Sequence, residues 1–222
     1  MTPRRHGGHE PGPFDGDEVA GGRAPEPWAP GAVRLRPASG PCPPVRAPAG
    51  VLTVERMRLL LTSDTHLPTR ASSLPEDLMA AVDDADTVIH AGDWIDEATL
   101  DLLESRSRRL IGVYGNNDGP GLRRRLPEVA YAELEGVRFG VVHETGAADG
   151  RERRCAARFP ELDVLVFGHS HIPWDTTSGR LRLLNPGSPT DRRRQPFCSF
   201  MTLTVADGRL YGVTLHSLPP RR

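Results

Sequence analysis

Apolar positions fall into short dense runs separated by polar loops, and the runs begin only after Met57. Leu59, Leu60 and Leu61 stand together ahead of Thr62-Ser63-Asp64-Thr65-His66, which predicts a buried strand, Arg58 to Ser63, opening into a loop. Ser73 before Leu74-Pro75-Glu76 predicts a helix start, with Leu74, Leu78 and Val82 on one face to about Asp83. Thr87 to Ala91 reads as a second strand ending in Gly92-Asp93. Asp96 predicts a capped helix to about Arg106, with Leu100 and Leu103 inward. Leu110 to Tyr114 reads as a third strand ending in Gly115-Asn116-Asn117-Asp118. This alternation predicts parallel strands with right-handed crossovers.

More antiparallel pairing is expected in the second half. Tyr131 to Leu134 and Val137 to Val142 flank Glu135-Gly136, a hairpin signal, and the second of these strands ends at His143. Arg151 to Phe159 reads as a helix, and Val164 to Phe167 as a buried strand ending in Gly168-His169-Ser170-His171. Two short strands flank Ser178-Gly179, and Asn185-Pro186-Gly187-Ser188 is a turn. Phe200 to Val205 and Leu210 to Leu215 form a last hairpin around Asp207-Gly208.

Composition changes the picture mainly at the N-terminus. Eleven of the 22 prolines and nine of the 23 glycines lie in the first 50 residues, which dilutes the hydrophobic fraction to 37%. Residues 1–56 show no helical or strand period and are expected to be a disordered Pro/Gly/Arg-rich tract, with one domain over 57–222. His6 and His9 in this tract read as solvated residues. A second expectation is that Met57 is the true start; a peptide from native protein mapping upstream of it would sink that idea. The formal net charge of -1 supplies no basic field for nucleic acid or a membrane surface. Cys42, Cys155 and Cys198 show no paired spacing, which fits a reducing compartment. With no apolar run near the ~18 residues of a membrane span, the expected location is cytoplasmic. Self-association as a homo-oligomer stays open.

The strand ends collect Asp64, His66, Asp93, Asn116, His143, His169 and His171, all oxygen or imidazole donors. In open α/β sheets the carboxyl ends of strands are where ligands bind. Gly92, Gly115 and Gly168 precede three of these groups and let the backbone turn sharply. Seven donors exceed the need of one ion and suit two ions sharing a carboxylate, with ions ~3.5–4 Å apart. Oxygen plus imidazole without thiolate suits Mn first, or Ni, Fe or Zn, rather than Ca.

Asp64-x-His66, Gly92-Asp93, Gly115-Asn116-x-Asp118, His143 and Gly168-His169-Ser170-His171 resemble the ordered motifs of calcineurin-like metallophosphoesterases. The Asn185-Pro186-Gly187-Ser188 turn and the small size resemble the YfcE-like phosphodiesterase branch. The match covers about Met57 to Leu218. It implies a four-layer α/β sandwich of two mixed sheets flanked by helices, with two metals at the strand ends. It assigns Asp64, His66 and His171 to one ion and Asn116, His143 and His169 to the other, with Asp93 bridging. The implied activity is hydrolysis of a small phosphate ester by a hydroxide between two divalent ions. The two ions, two carboxylates and one hydroxide leave a formal charge of about +1. That favours a phosphodiester over a phosphomonoester dianion. A scaffold of the same fold, as in the retromer coat, is the rival class; it predicts missing donors, and all seven positions retain them.

Departures from the family pattern are expected to matter. Asn117 stands where many relatives have His, and cannot act as a general acid; it can donate a hydrogen bond. Asn117 and Asp118 are therefore assisting candidates only, and Asp118 reads equally well as a turn residue. Glu144 follows His143 where Gly is usual, and either lies at the cleft mouth or points to solvent. Arg123-Arg124-Arg125 and Arg192-Arg193-Arg194 read as solvated runs, the second being the better candidate to touch substrate. Trp94 reads as packing slightly ahead of a cleft wall, and His90 as a buried structural histidine. Cys155 and Cys198 read as small core fillers.

Overall fold

The computed structural model describes residues 56–219. The expectations for residues 1–55, for Met57 as the start, and for His6, His9 and Cys42 lie outside the described residues. β1 (Met57–Thr62), β2 (Thr87–His90) and β3 (Leu110–Gly112) pair in parallel, joined by α1 (Glu76–Asp84) and α2 (Glu97–Arg106). Leu59 and Leu61 face a second sheet, whereas Leu60 faces the helices; all three are buried. The apolar run is continuous because both faces of this strand are covered. α1 begins at Glu76 with Pro75 in the cap position and no side-chain cap bond, so Ser73 is not its cap. The pyrrolidine ring presets the backbone at the helix entrance. Asp96 does cap α2, accepting from Thr99 N–H at 2.9 Å.

The second sheet holds β4 (Val129–Leu134), β5 (Val137–Val142), β6 (Val164–Val166), β8 (Leu181–Asn185) and β7 (Trp174–Ser178), in that spatial order. Its two outer pairs are antiparallel, whereas β5, β6 and β8 are parallel, so this sheet is mixed, as expected. The reason is α4 (Arg151–Arg158), which crosses over between β5 and β6, and a hairpin that sends β7 to the edge. β9 (Cys198–Ala206) and β10 (Arg209–Leu218) then return to the first sheet, β9 lying antiparallel to β1.

The two sheets enclose one core, with Ile89, Val113, Phe139, Val141, Val166 and Met201 among its residues. α1 and α2 cover the first sheet through Leu78, Val82, Leu100 and Leu103. α4 covers the second through Cys155, near Phe159, Leu165 and Phe167. The result is the expected four-layer α/β sandwich. Each buried Leu or Val contributes ~1.5–3 kcal/mol to holding the layers together. A short helix, α3 (Pro120–Arg125), has no apolar period to announce it, because only Leu122 of its six residues is buried. No helix of the described residues is long and apolar enough to cross a membrane.

Candidate metal centre

The loops after β1, β2, β3, β5 and β6 deliver the expected donors to one cleft. Asp64, His66 and His171 bring ligand atoms within 4.8 Å of one another, and so do Asp64, Asp93 and His143. His171 Nε2 lies 3.3 Å from Asp64 Oδ1 and 3.1 Å from His66 Nε2. Asp93 Oδ2 stands between the two sides, 3.5 Å from His66 Nε2 and 3.4 Å from His143 Nε2. Asn116 Oδ1 lies 3.0 Å from His143 Nε2 and 2.9 Å from His169 Nδ1. His169 belongs to neither close group; its side chain is 41% exposed at the rim.

The backbone is bent to make this possible. Asp64, His66, Asp93, His169 and His171 all have positive φ, between 44° and 67°. Such geometry in non-glycine residues costs on the order of 1 kcal/mol each and persists only where the surroundings impose it. Asp64 N–H donates to Gly92 O at 2.9 Å and His66 N–H to Asp93 O at 3.1 Å. Ser188 and Thr190 hydroxyls donate to the carbonyls of Asp64 and Thr65, both at 2.7 Å. The Asn-Pro-Gly-Ser turn is thus a brace under the Asp64 loop. At Gly115 a Cβ would lie 2.1 Å from Asp93 Oδ1, so the two loops meet only because this residue lacks one.

Hydrogen bonds fix the imidazoles in the orientation a cation needs. His143 Nδ1 donates to Ala91 O and His171 Nδ1 to Asp191 O, each at 2.7 Å. In the neutral ring this leaves a lone pair on Nε2. Those lone pairs face carboxylate oxygens, an arrangement that repels unless a cation or proton lies between. A ligating histidine ordinarily gives its other N–H to such an acceptor. The residues present therefore fit a divalent metal, and the donor set contains no thiolate. Burial works against ionisation of Asp64 and Asp93. Histidine partners win at both, aided at Asp93 by Asn117, and hold the carboxyls well below the usual range. Burial likewise opposes charge on His143, but its bond to Asp93 and the two carboxylates raise its pKa.

The two assisting candidates, Asn117 and Asp118, bond to Asp93 and to the loops that carry it. Asn117 N–H and Nδ2 donate to the two oxygens of Asp93 at 2.9 and 2.7 Å. Asp118 is more than a turn residue: it is buried and accepts from the N–H groups of Asp93, Ile95 and Gly115 at 3.1, 2.8 and 2.7 Å. It fastens the β2 loop to the β3 loop. Arg123, in the first arginine run, donates to the carbonyls of Gly115, Asn116 and Asp118, so it too holds the Asn116 loop. Arg193 donates to His169 O at 3.2 Å, beside the rim. Glu144 lies at the cleft mouth, with Oε1 3.9 Å from His169 Nε2.

Trp94 is fully buried, stacks on His90 at 3.5 Å and donates to Val113 O, as packing requires. His90 is also fully buried. Its Nδ1 accepts from Gly92 N–H, its Nε2 faces Thr65 Oγ1, and burial lowers its pKa to about 3. Cys155 is buried and Cys198 half-buried in apolar clusters, away from the donors.

Residues 57–208 match the calcineurin-like phosphoesterase superfamily domain. The chain belongs to that superfamily. A protein named a probable metallophosphoesterase from Methanocaldococcus jannaschii is 34% identical over 154 residues, 68% of this chain and 77% of that one. A phosphodiesterase of the same organism is 24% identical over 149 residues, 59% of this chain and 83% of that one. The solution structure of a Thermotoga maritima protein is 36% identical with a TM-score of 0.60, covering 73% of this phosphoesterase-family chain and 99% of that chain. Vacuolar Protein Sorting 29 from Cryptosporidium parvum, 21% identical, shares the fold at a TM-score of 0.61 over the same 73% of this chain and 99% of that one.

Proposed function

We propose that the protein is a metal-dependent phosphoesterase that prefers phosphodiesters to phosphomonoesters. Two divalent ions, Mn first among them, would be held by Asp64, His66 and His171 on one side and Asn116, His143 and His169 on the other. Asp93 would join the two sides. The observation that carries the reading is Asp93 Oδ2, within 3.5 Å of both His66 Nε2 and His143 Nε2. Ions at these positions would lower the pKa of water and neutralise charge on phosphoryl oxygens.

Side chains around the centre narrow the range of esters. Asn117 gives its backbone N–H and one Nδ2–H to Asp93, and an amide cannot protonate a leaving group. No proton donor then assists departure from this side, and esters of acidic alcohols react fastest. Glu144 adds a carboxylate at the mouth and disfavours a dianion more than a monoanion. The relative named a phosphodiesterase supports the same preference. The test is a metal screen with an activated aryl diester and the matching monoester. Diester turnover exceeding monoester turnover, lost in Asp64→Ala and reduced in His169→Ala, is the expected result. A diester/monoester ratio below one with manganese present contradicts the preference, and activity unchanged in both variants removes the mechanism.

A further inference from the structure

Beside the donor cluster lies a cavity of about 300 Å³ whose inner wall is Asn116 and His143. Its remaining lining includes Tyr114, Arg123, Glu128, Val129, Glu144 and Arg158. We propose that this cavity receives one ester arm of the substrate and selects a heterocyclic base presenting both hydrogen-bond donors and acceptors, guanine above all. The inference rests on the phosphoesterase reading, because a phosphoryl group seated at Asn116 and His143 has this space next to it.

Lining chemistry points away from a second phosphate and away from a plain hydrocarbon. Two guanidinium groups and two carboxylates face one space, so their formal charges cancel while their donors and acceptors remain. Part of this lining is preset. Arg123 is fixed by three backbone carbonyls and lies 4.4 Å over the Tyr114 ring. Tyr114 OH donates to Glu128 Oε2 at 3.3 Å, which leaves the second carboxylate oxygen of Glu128 unclaimed by that bond. Arg158 has no carboxylate within 4.0 Å among the described residues; its guanidinium lies 5.0 Å from the Phe159 ring. A guanidinium matches the O6 and N7 acceptors of guanine as a fork. A carboxylate matches the N1–H and N2–H donors on the adjoining edge by the same logic. Val129 and the Tyr114 ring supply an apolar wall for the base face.

Titration calorimetry on the full chain with manganese chloride tests this without turnover. The ligands are guanosine 5′-monophosphate, ribose 5-phosphate, phenyl phosphate and guanosine 3′,5′-bisphosphate. The monophosphate should bind about tenfold tighter than ribose 5-phosphate or phenyl phosphate. In Arg158→Ala and in Glu128→Gln, both exposed side chains, that ratio should shrink to about threefold or less. Equal binding of the three, or a preference that survives both substitutions, overturns the proposal. So does bisphosphate binding more than about tenfold tighter than monophosphate, since that marks an anion pocket. Base preference without hydrolysis of any aryl ester keeps the base site but overturns its role as an ester-arm pocket together with the phosphoesterase reading; hydrolysis without base preference overturns the base site alone.

Discussion

The inner and outer ends of the cleft are built with different firmness. At the inner end, Asp64, His66 and His171 are buried. The brace of Ser188 and Thr190 lies beneath Asp64, and the Asp191 carbonyl orients His171. At the outer end His143 is buried and held by Ala91 O, but Asn116 is exposed and His169 is 41% exposed, and these two side chains meet each other. Preorganised, buried donors lose little freedom on binding, whereas exposed ones must be ordered at a cost. The difference implies unequal affinities: a cation at the inner end should be retained through dialysis, and one at the outer end should exchange.

Asp64→Ala should produce the largest effect, removing the fully buried carboxylate of the inner end. We expect kcat/KM on an aryl diester to fall at least about a thousandfold, with the tightly held metal lost by elemental analysis. His169→Ala tests the comparison most directly. Its loss should reach about 10–100-fold, with the tighter ion retained and only the weaker one lost. Loss of both ions in His169→Ala would show that the two ends are not separable.

Asp118→Ala removes the acceptor of three backbone N–H groups at the joint between the β2 and β3 loops. Denaturant unfolding should show about 2–3 kcal/mol of destabilisation, since buried donors are left without partners. An effect on outer-end metal affinity larger than on inner-end affinity is expected, because Asn116 rides on that joint.

His90 gives the smallest effect near neutral pH, and a pH signature below it. Its pKa is lowered from 6.5 to about 3 by burial, so the folded state keeps it neutral while the unfolded state protonates it. Stability from this residue is therefore full above about pH 6.5 and falls as the pH drops toward 3, by up to ~1.4 kcal/mol per pH unit. Unfolding curves of His90→Gln between pH 5 and 7 should be flatter with pH than those of the wild type. Equal slopes would mean that the ring is not kept neutral behind the inner end.

Much of this centre is legible in the sequence because its donors follow apolar strands directly, often after glycine. Asp64, Asp93 and His143 are found by that rule alone, and Leu59 to Leu61 mark the central strand without ambiguity. The bracing groups are not legible. Asp118 acts through N–H groups up to 25 residues away in sequence, and such contacts leave no period to read. Arg123 sits in a charge run whose neighbours do different things: Arg125 pairs with Asp101 and Glu104, while Arg123 serves the cleft. The parallel pairing of β5, β6 and β8 is hidden for a similar reason, since hairpin turns announce themselves locally and crossovers do not.

The left-handed turns at Asp64, His66, Asp93, His169 and His171 bear on how such a protein could change over generations. Glycine fits each of these turns without the penalty that a side chain incurs. A lineage released from catalysis would thus gain conformational ease by discarding its donors, one turn at a time, while the sandwich beneath stayed intact. Donor chemistry and backbone ease pull in opposite directions at these five positions.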